Sequence, residues 1–298
     1  MNSPIKNKNE QMGLMFGFTA VIAFSLTLPA TRLAVTYIDP TLVGLGRSLV
    51  VALPALLLLF LLKISLPTKR QWLSLLVVMF GVVICFPWLT SLAMQNVSGA
   101  QGGIAVSMIP LFTAISGAVL LGQRPSIGFW LMAALGSILV LVYLFLSKSG
   151  AIQSSELILF GASIVCAVGY AEGGRLARDI GGIAVISWAL VLSIPFTVVP
   201  LTYRWINYDF NDLWQIPWQA WAGFLYISIV SQWIAFIFWY RGLAIGGVVR
   251  VSQVQLIQPF LTMVFSSVLL GESITLLMMF FAIAVVTTVA IGRRMAAY

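Results

Sequence analysis

Residues Ser252 to Glu272 read SQVQLIQPFLTMVFSSVLLGE. The run is apolar, is long enough to cross a bilayer, and is interrupted by Pro259. The same design stands 149 residues earlier, where IPLFTAISGAVLLGQ places Pro110, Thr113 and Gly122 against Pro259, Thr262 and Gly271. Proline to glycine is twelve residues in both copies. Two copies in register mark a duplicated chain.

The composition says where such a chain lives. Of 298 residues, 61% are hydrophobic and 8% charged, and the mean hydropathy is +1.05. A soluble domain carries roughly 25% charged residues, so this chain is read as an integral membrane protein. Ten apolar runs follow one another: 12–37, 41–63, 71–93, 98–121, 126–147, 155–178, 182–203, 217–241, 247–270 and 273–292. They are continuous rather than alternating, which indicates helices and not a barrel. Residues 1–11 are polar and are expected to form a short tail, not a cleaved signal. The aromatic gap RWINYDFNDLWQI, residues 204–216, is expected to lie along the headgroups.

Charge placement sets the orientation. With the amino terminus in the cytoplasm, twelve Lys/Arg fall at inner ends and four (Arg32, Arg47, Lys148, Arg204) at outer ends. The positive-inside rule then puts both termini in the cytoplasm. The net charge of +8 is accounted for by these loop residues, so nucleic acid is not expected as a partner. The absence of histidine excludes His-ligated metals and His-based relays. No metal or cofactor is expected, and no catalytic motif stands within the runs, so the chain is not read as an enzyme. Cys85 and Cys166 both lie in apolar runs and imply no disulfide.

The duplication extends further. Gly17 and Arg32-Leu33-Ala34 in the first run match Gly161 and Arg175-Leu176-Ala177 in the sixth. The expected architecture is all-α: ten transmembrane helices as two inverted five-helix repeats, 12–149 and 150–298, because an odd number of spans reverses the second half. Inverted repeats are the architecture of secondary transporters, with substrate held near the midplane between them.

The paired Pro and Leu-Leu-Gly motifs, Arg47, and the Arg-Leu-Ala ends resemble the drug/metabolite transporter superfamily, and within it the bacterial EamA-type exporters. The resemblance covers about residues 12–294. It departs at Gln123, where Glu272 is the acid of the second copy. It implies export of amino acids or similar small metabolites across the bacterial cytoplasmic membrane, with the exporters of aromatic and hydrophobic amino acids nearest.

Candidate site residues follow from polarity and depth. In the ninth run Ser252, Gln255, Pro259, Thr262 and Ser266 share a helical face, which is expected to line a pathway. The matching face of the fourth run, Gly103, Val106, Pro110, Thr113 and Gly117, is expected to pack. Pro29, Pro110 and Pro259 are candidate hinges, since each removes a backbone donor in mid-membrane. Gln101 is a further polar cavity candidate, and Gln232 an intramembrane amide suited to a zwitterion or to an interhelical bond. Phe24, Ser25, Phe86, Trp88, Tyr170 and Trp233 are expected to line a cavity, whereas Trp239 and Tyr240 are expected at an interface beside Arg241. Arg47 faces two candidate partners, Asp39 and the carboxyl of a substrate. Glu172 is the coupling candidate if protons drive transport, and is also placed to pair with Arg175. A broad drug exporter and a non-transporting scaffold are the alternatives.

Overall fold

A computed structural model describes residues 4–120, 126–147, 153–206, 215–247 and 251–295. The Gly122-Gln123 end of the first motif, segment 207–214, Arg250, and the Ser252 and Gln253 side chains lie outside the described residues. Eight helices there are long and apolar enough to cross a membrane. They are α1 (Gln11–Val35), α2 (Pro40–Leu61), α3 (Lys69–Ala93), α4 (Gly99–Leu120), α5 (Ile127–Leu146), α6 (Ser154–Ile180), α7 (Gly182–Ile206) and α8 (Trp218–Gly246). Two shorter apolar helices follow, α9 (Val254–Leu270) and α10 (Leu276–Gly292).

Local chemistry sets the ends. Asp39 caps α2, accepting from the N–H groups of Thr41 (2.9 Å) and Leu42 (3.2 Å), with Pro40 where no donor is needed. Thr68 with Gln71 and Ser98 with Gln101 form capping boxes that start α3 and α4. Gly271, at φ +66°, turns the chain out of α9 in the left-handed conformation that glycine adopts without strain. Two helices overrun the hydropathy limits. The seventh continues to Ile206, into the expected interfacial gap, and α8 continues past Arg241, whose guanidinium lies 4.8 Å from the centre of the Phe16 ring.

Helix packing is crossed between the two halves. α1 packs on α8, and α3 on α6; α4 packs on α6, and α9 on α1. α2 faces α7, α5 faces α10, and α4 faces α9. Glycines permit the closest of these approaches. A Cβ on Gly81 would stand 2.9 Å from Gly169 Cα, where α3 meets α6. One apolar core joins α1–α3 with α6–α8, and a second lies among α4, α5, α9 and α10.

Besides α1, which breaks at Leu26, four of the described helices depart from regular α geometry in mid-span. α3 contains a π-helical stretch at Met79–Cys85, and α8 one at Tyr226–Ile234. α4 tightens to a 3₁₀ turn at Val106–Met108, and the chain entering α9 does so at Ser252–Ile257. The 3₁₀ turns follow from the prolines. Pro110 has no N–H for the Val106 carbonyl, nor Pro259 for that of Gln255. The preceding residue serves instead: Ile109 N–H donates to Val106 and Gln258 N–H to Gln255, an i+3 bond in each helix. The carbonyls of Val106 and Gln255 that the prolines leave without an i+4 donor therefore already hold a backbone donor.

Candidate functional site

The break in α1 begins the site. Helical geometry lapses at Leu26, three residues before Pro29. Beside the break Ser25 Oγ donates to Val21 O at 2.7 Å, and Thr27 Oγ1 shares a 2.7 Å hydrogen bond with Ser231 Oγ of the α8 π stretch. Arg47 reaches the same hydroxyl: its Nη2 donates to Ser231 Oγ at 3.2 Å. Three helices thus meet at one serine, with all three side chains buried.

The neighbouring residue ties in α3. In the π stretch Phe86 N–H reaches back to Gly81 O. The next carbonyl, that of Val82, would need the N–H that Pro87 lacks. Gln232 Nε2 supplies a donor to it at 3.3 Å. Of the two roles open to Gln232, this is the interhelical bond, and its Oε1 has no donor among the described residues.

An aromatic cluster packs in the same core. Phe24 lies 4.9 Å from Phe236, 6.1 Å from Trp239 and 6.4 Å from Tyr170 between ring centres. Tyr170 lies 5.6 Å from Trp239. Trp239 and Tyr240 were expected at the membrane interface beside Arg241, and the structure corrects this: both are fully buried. Continuing α8 to Gly246 moves them into the helix body, where α1 and α6 cover them.

α4 and α9 meet across a cavity of about 10 Å³ lined by Pro110, Ser107, Gln255 and Pro259, about the room one water needs. Gln255, Thr262 and Ser266 are buried at 3%, 1% and 0% exposure. Thr262 abuts Gly103 and Ser266 abuts Gly99. The polar face of α9 therefore packs onto the small-residue face of α4 in this structure and does not front an open passage. The packing expected of α4 is observed at Gly103, whereas a Cβ on Gly117 would meet nothing within 4 Å among the described residues.

The remaining candidates are dispersed. Gln101 engages its side-chain oxygen with Ser98 N–H as a helix cap. Trp88 Nε1 donates to Thr41 Oγ1 at 3.4 Å, and Trp233 Nε1 to Ser187 Oγ at 3.2 Å. Phe86 is half-buried at the edge of the larger core. Glu172 takes Arg175 Nε at 3.0 Å and Nη2 at 2.5 Å, and that guanidinium also donates to Ser74. Asp39 goes to Arg204, at 2.5 Å, and not to Arg47. Sequence reasoning underrated Ser231 and Thr27, whose hydroxyls look like ordinary helix residues. Arg47 was the available signal, a cation inside an apolar run.

A larger apolar groove of about 470 Å³ opens laterally between α2, α7 and α8, with Gly46, Leu49, Leu201, Trp205, Trp221 and Phe224 among its walls.

A membrane protein of paired, broken helices is the class this geometry defines. The model of the EamA-like transporter family matches residues 11–146 and again 153–292. The chain belongs to that family. It is 41% identical over 285 residues to "Uncharacterized transporter YdeK" of Bacillus subtilis (strain 168), covering 95% of this chain and 98% of that protein. A solved crystal structure, at 16% identity, superposes with a TM-score of 0.66 over 96% of this chain and 98% of the other, a likeness of fold.

Proposed function

We propose that the chain is a secondary transporter that exports small neutral metabolites, amino acids foremost, across the bacterial cytoplasmic membrane. In this reading ten spans form two inverted five-helix repeats, with both termini in the cytoplasm, and access alternates around a central site. The observation that carries it is the pairing of irregularities. The α3 π stretch, displaced by 149 residues, falls inside that of α8, and the 3₁₀ turn of α4 falls inside that preceding α9. Exchanging the halves also maps the α1–α8 contact onto α6–α3. Broken helices at corresponding positions are the places where such a fold flexes and binds.

The residues proposed to contact substrate are Phe24, Tyr170 and the polar groups at the α1 break, with Gln255 and Pro259 beside Pro110 as a second, smaller contact. Pro29, Pro110 and Pro259 are the proposed hinges. Glu172, paired with Arg175, serves the inner end of α6 as an ion pair, and proton coupling through it requires that pair to open. Counterflow into proteoliposomes preloaded with L-leucine, L-phenylalanine or L-threonine, with and without a pH gradient, tests the reading. Uptake of label driven by at least one preloaded amino acid is expected. The absence of flux with every one of them would reject amino-acid export, and resistance to lipophilic cations on overexpression would favour a drug exporter instead.

A further inference from the structure

We propose that Arg47 is the group that binds the carboxylate of the transported solute, so that the substrate class is organic molecules carrying one carboxylate beside an apolar body. The inference rests on the transport reading above.

Arg47 is 2% exposed, inside α2. Its Nη2 makes one bond, at 3.2 Å and to a neutral hydroxyl. Among the described residues its Nε and Nη1 have no acceptor. A guanidinium does not lose its proton in a protein. A buried cation without a partner is strongly destabilising, and intramembrane charges persist where function requires them. The described carboxylates are committed elsewhere. Asp39 pairs with Arg204 and Glu172 with Arg175. Glu272 accepts from the N–H groups of Gly99 and Ala100, and Glu156 from that of Gln153. Asp179 stands exposed near the end of α6.

Nη2 carries two N–H groups and gives one to Ser231, so one edge of the guanidinium fork, Nη2 with either Nε or Nη1, is left idle. That edge matches the two oxygens of a carboxylate. Apolar surface belongs to the same helices: Phe24 stands three residues before Thr27 in α1 and packs on Phe236 and Tyr170. Arg47 is enclosed in this structure, so a solute enters only when a neighbour moves. Its partner Ser231 lies in the α8 π stretch, and the other partner of that hydroxyl, Thr27, follows the α1 break.

The test compares three probes of one shape: L-phenylalanine, 3-phenylpropionate and L-phenylalaninamide. Wild-type protein in proteoliposomes is expected to move the two carboxylates and to discriminate against the amide by about tenfold or more, the worth of one charge-assisted hydrogen bond. In detergent the carboxylates, and not the amide, are expected to raise its thermal midpoint. Arg47→Gln should abolish both the discrimination and the shift. Ser231→Ala, which keeps the guanidinium, should weaken carboxylate transport while retaining the preference. Equal flux of carboxylate and amide overturns the inference and leaves the transporter reading standing. Carboxylate-dependent stabilisation without flux of any probe upholds the site and overturns the transport reading. A folded Arg47→Gln protein with wild-type KM for phenylalanine overturns the inference. If Arg47→Gln does not fold, the wild-type discrimination and Ser231→Ala decide it, and the absence of both a carboxylate preference and a thermal shift overturns it.

Discussion

The carboxylate of Glu272 takes two successive backbone donors at the start of α4, Gly99 N–H at 2.8 Å and Ala100 N–H at 2.9 Å. An acid there also meets the positive end of the helix dipole. Glu272→Ala is expected to cost about 1 kcal/mol, read as a lower thermal midpoint in detergent. Glu272→Gln, which keeps an acceptor but not the charge, should fall between; identical midpoints for all three proteins would refute the cap. Asp39 offers a contrast. It caps α2 and pairs with Arg204, whose side chain is 47% exposed, so the pair itself contributes little. Asp39→Asn, which retains the cap, should therefore melt close to wild type, and Asp39→Ala about 1 kcal/mol below it. Pairs close in sequence were legible in advance: Glu172 and Arg175 are three residues apart on one helix. The choice of Arg204 over Arg47 for Asp39 was not, because it depends on the packing of α7 against α2.

At the level of the helix, the prolines announced the 3₁₀ turns, since a missing donor is visible in the sequence. The π stretches were not visible. Hydrophobic content locates a span but does not distinguish 3.6 residues per turn from a locally wider one. Only the aftermath is recognisable, in the carbonyl of Val82 that Pro87 cannot serve and Gln232 does. The expectation that the polar α9 face lines a passage rests on polarity as well, and in this structure that face is closed. Polarity shows that a face avoids lipid; whether water or another helix covers it depends on the facing helix, and here the small residues of α4 fit against it. Glycines in α6 give a paired test. A Cβ on Gly169 would stand 2.8 Å from Val82 Cγ2, and Gly161 has nothing within 4 Å. Gly169→Ala should destabilise by about 1–3 kcal/mol. Gly161→Ala should be neutral or stabilise by up to about 1 kcal/mol, because alanine is the better helix former. Thermal unfolding of the two variants side by side checks both, and a reversed order would contradict the α3–α6 packing.

For the whole molecule, hydropathy located most of the helices to within a few residues, because a bilayer demands long apolar runs, but it ended α8 five residues before Gly246. It could not give their pairing. Topology is open to a direct check: fluorescent protein fused to either terminus should fluoresce in the cytoplasm, and a dark carboxy-terminal fusion would refute the proposed orientation. The crossed packing also bears on synthesis. Thr27 is released from the ribosome long before its partner Ser231, 204 residues later in the chain. At ~5–20 residues per second that wait is about 10–40 s. Throughout it Thr27 and Arg47 lack the Ser231 hydroxyl they share in the finished fold, so the first half is not expected to be a self-sufficient folding unit. The first half expressed alone should be degraded, and co-expression of the second half as a separate polypeptide should rescue it.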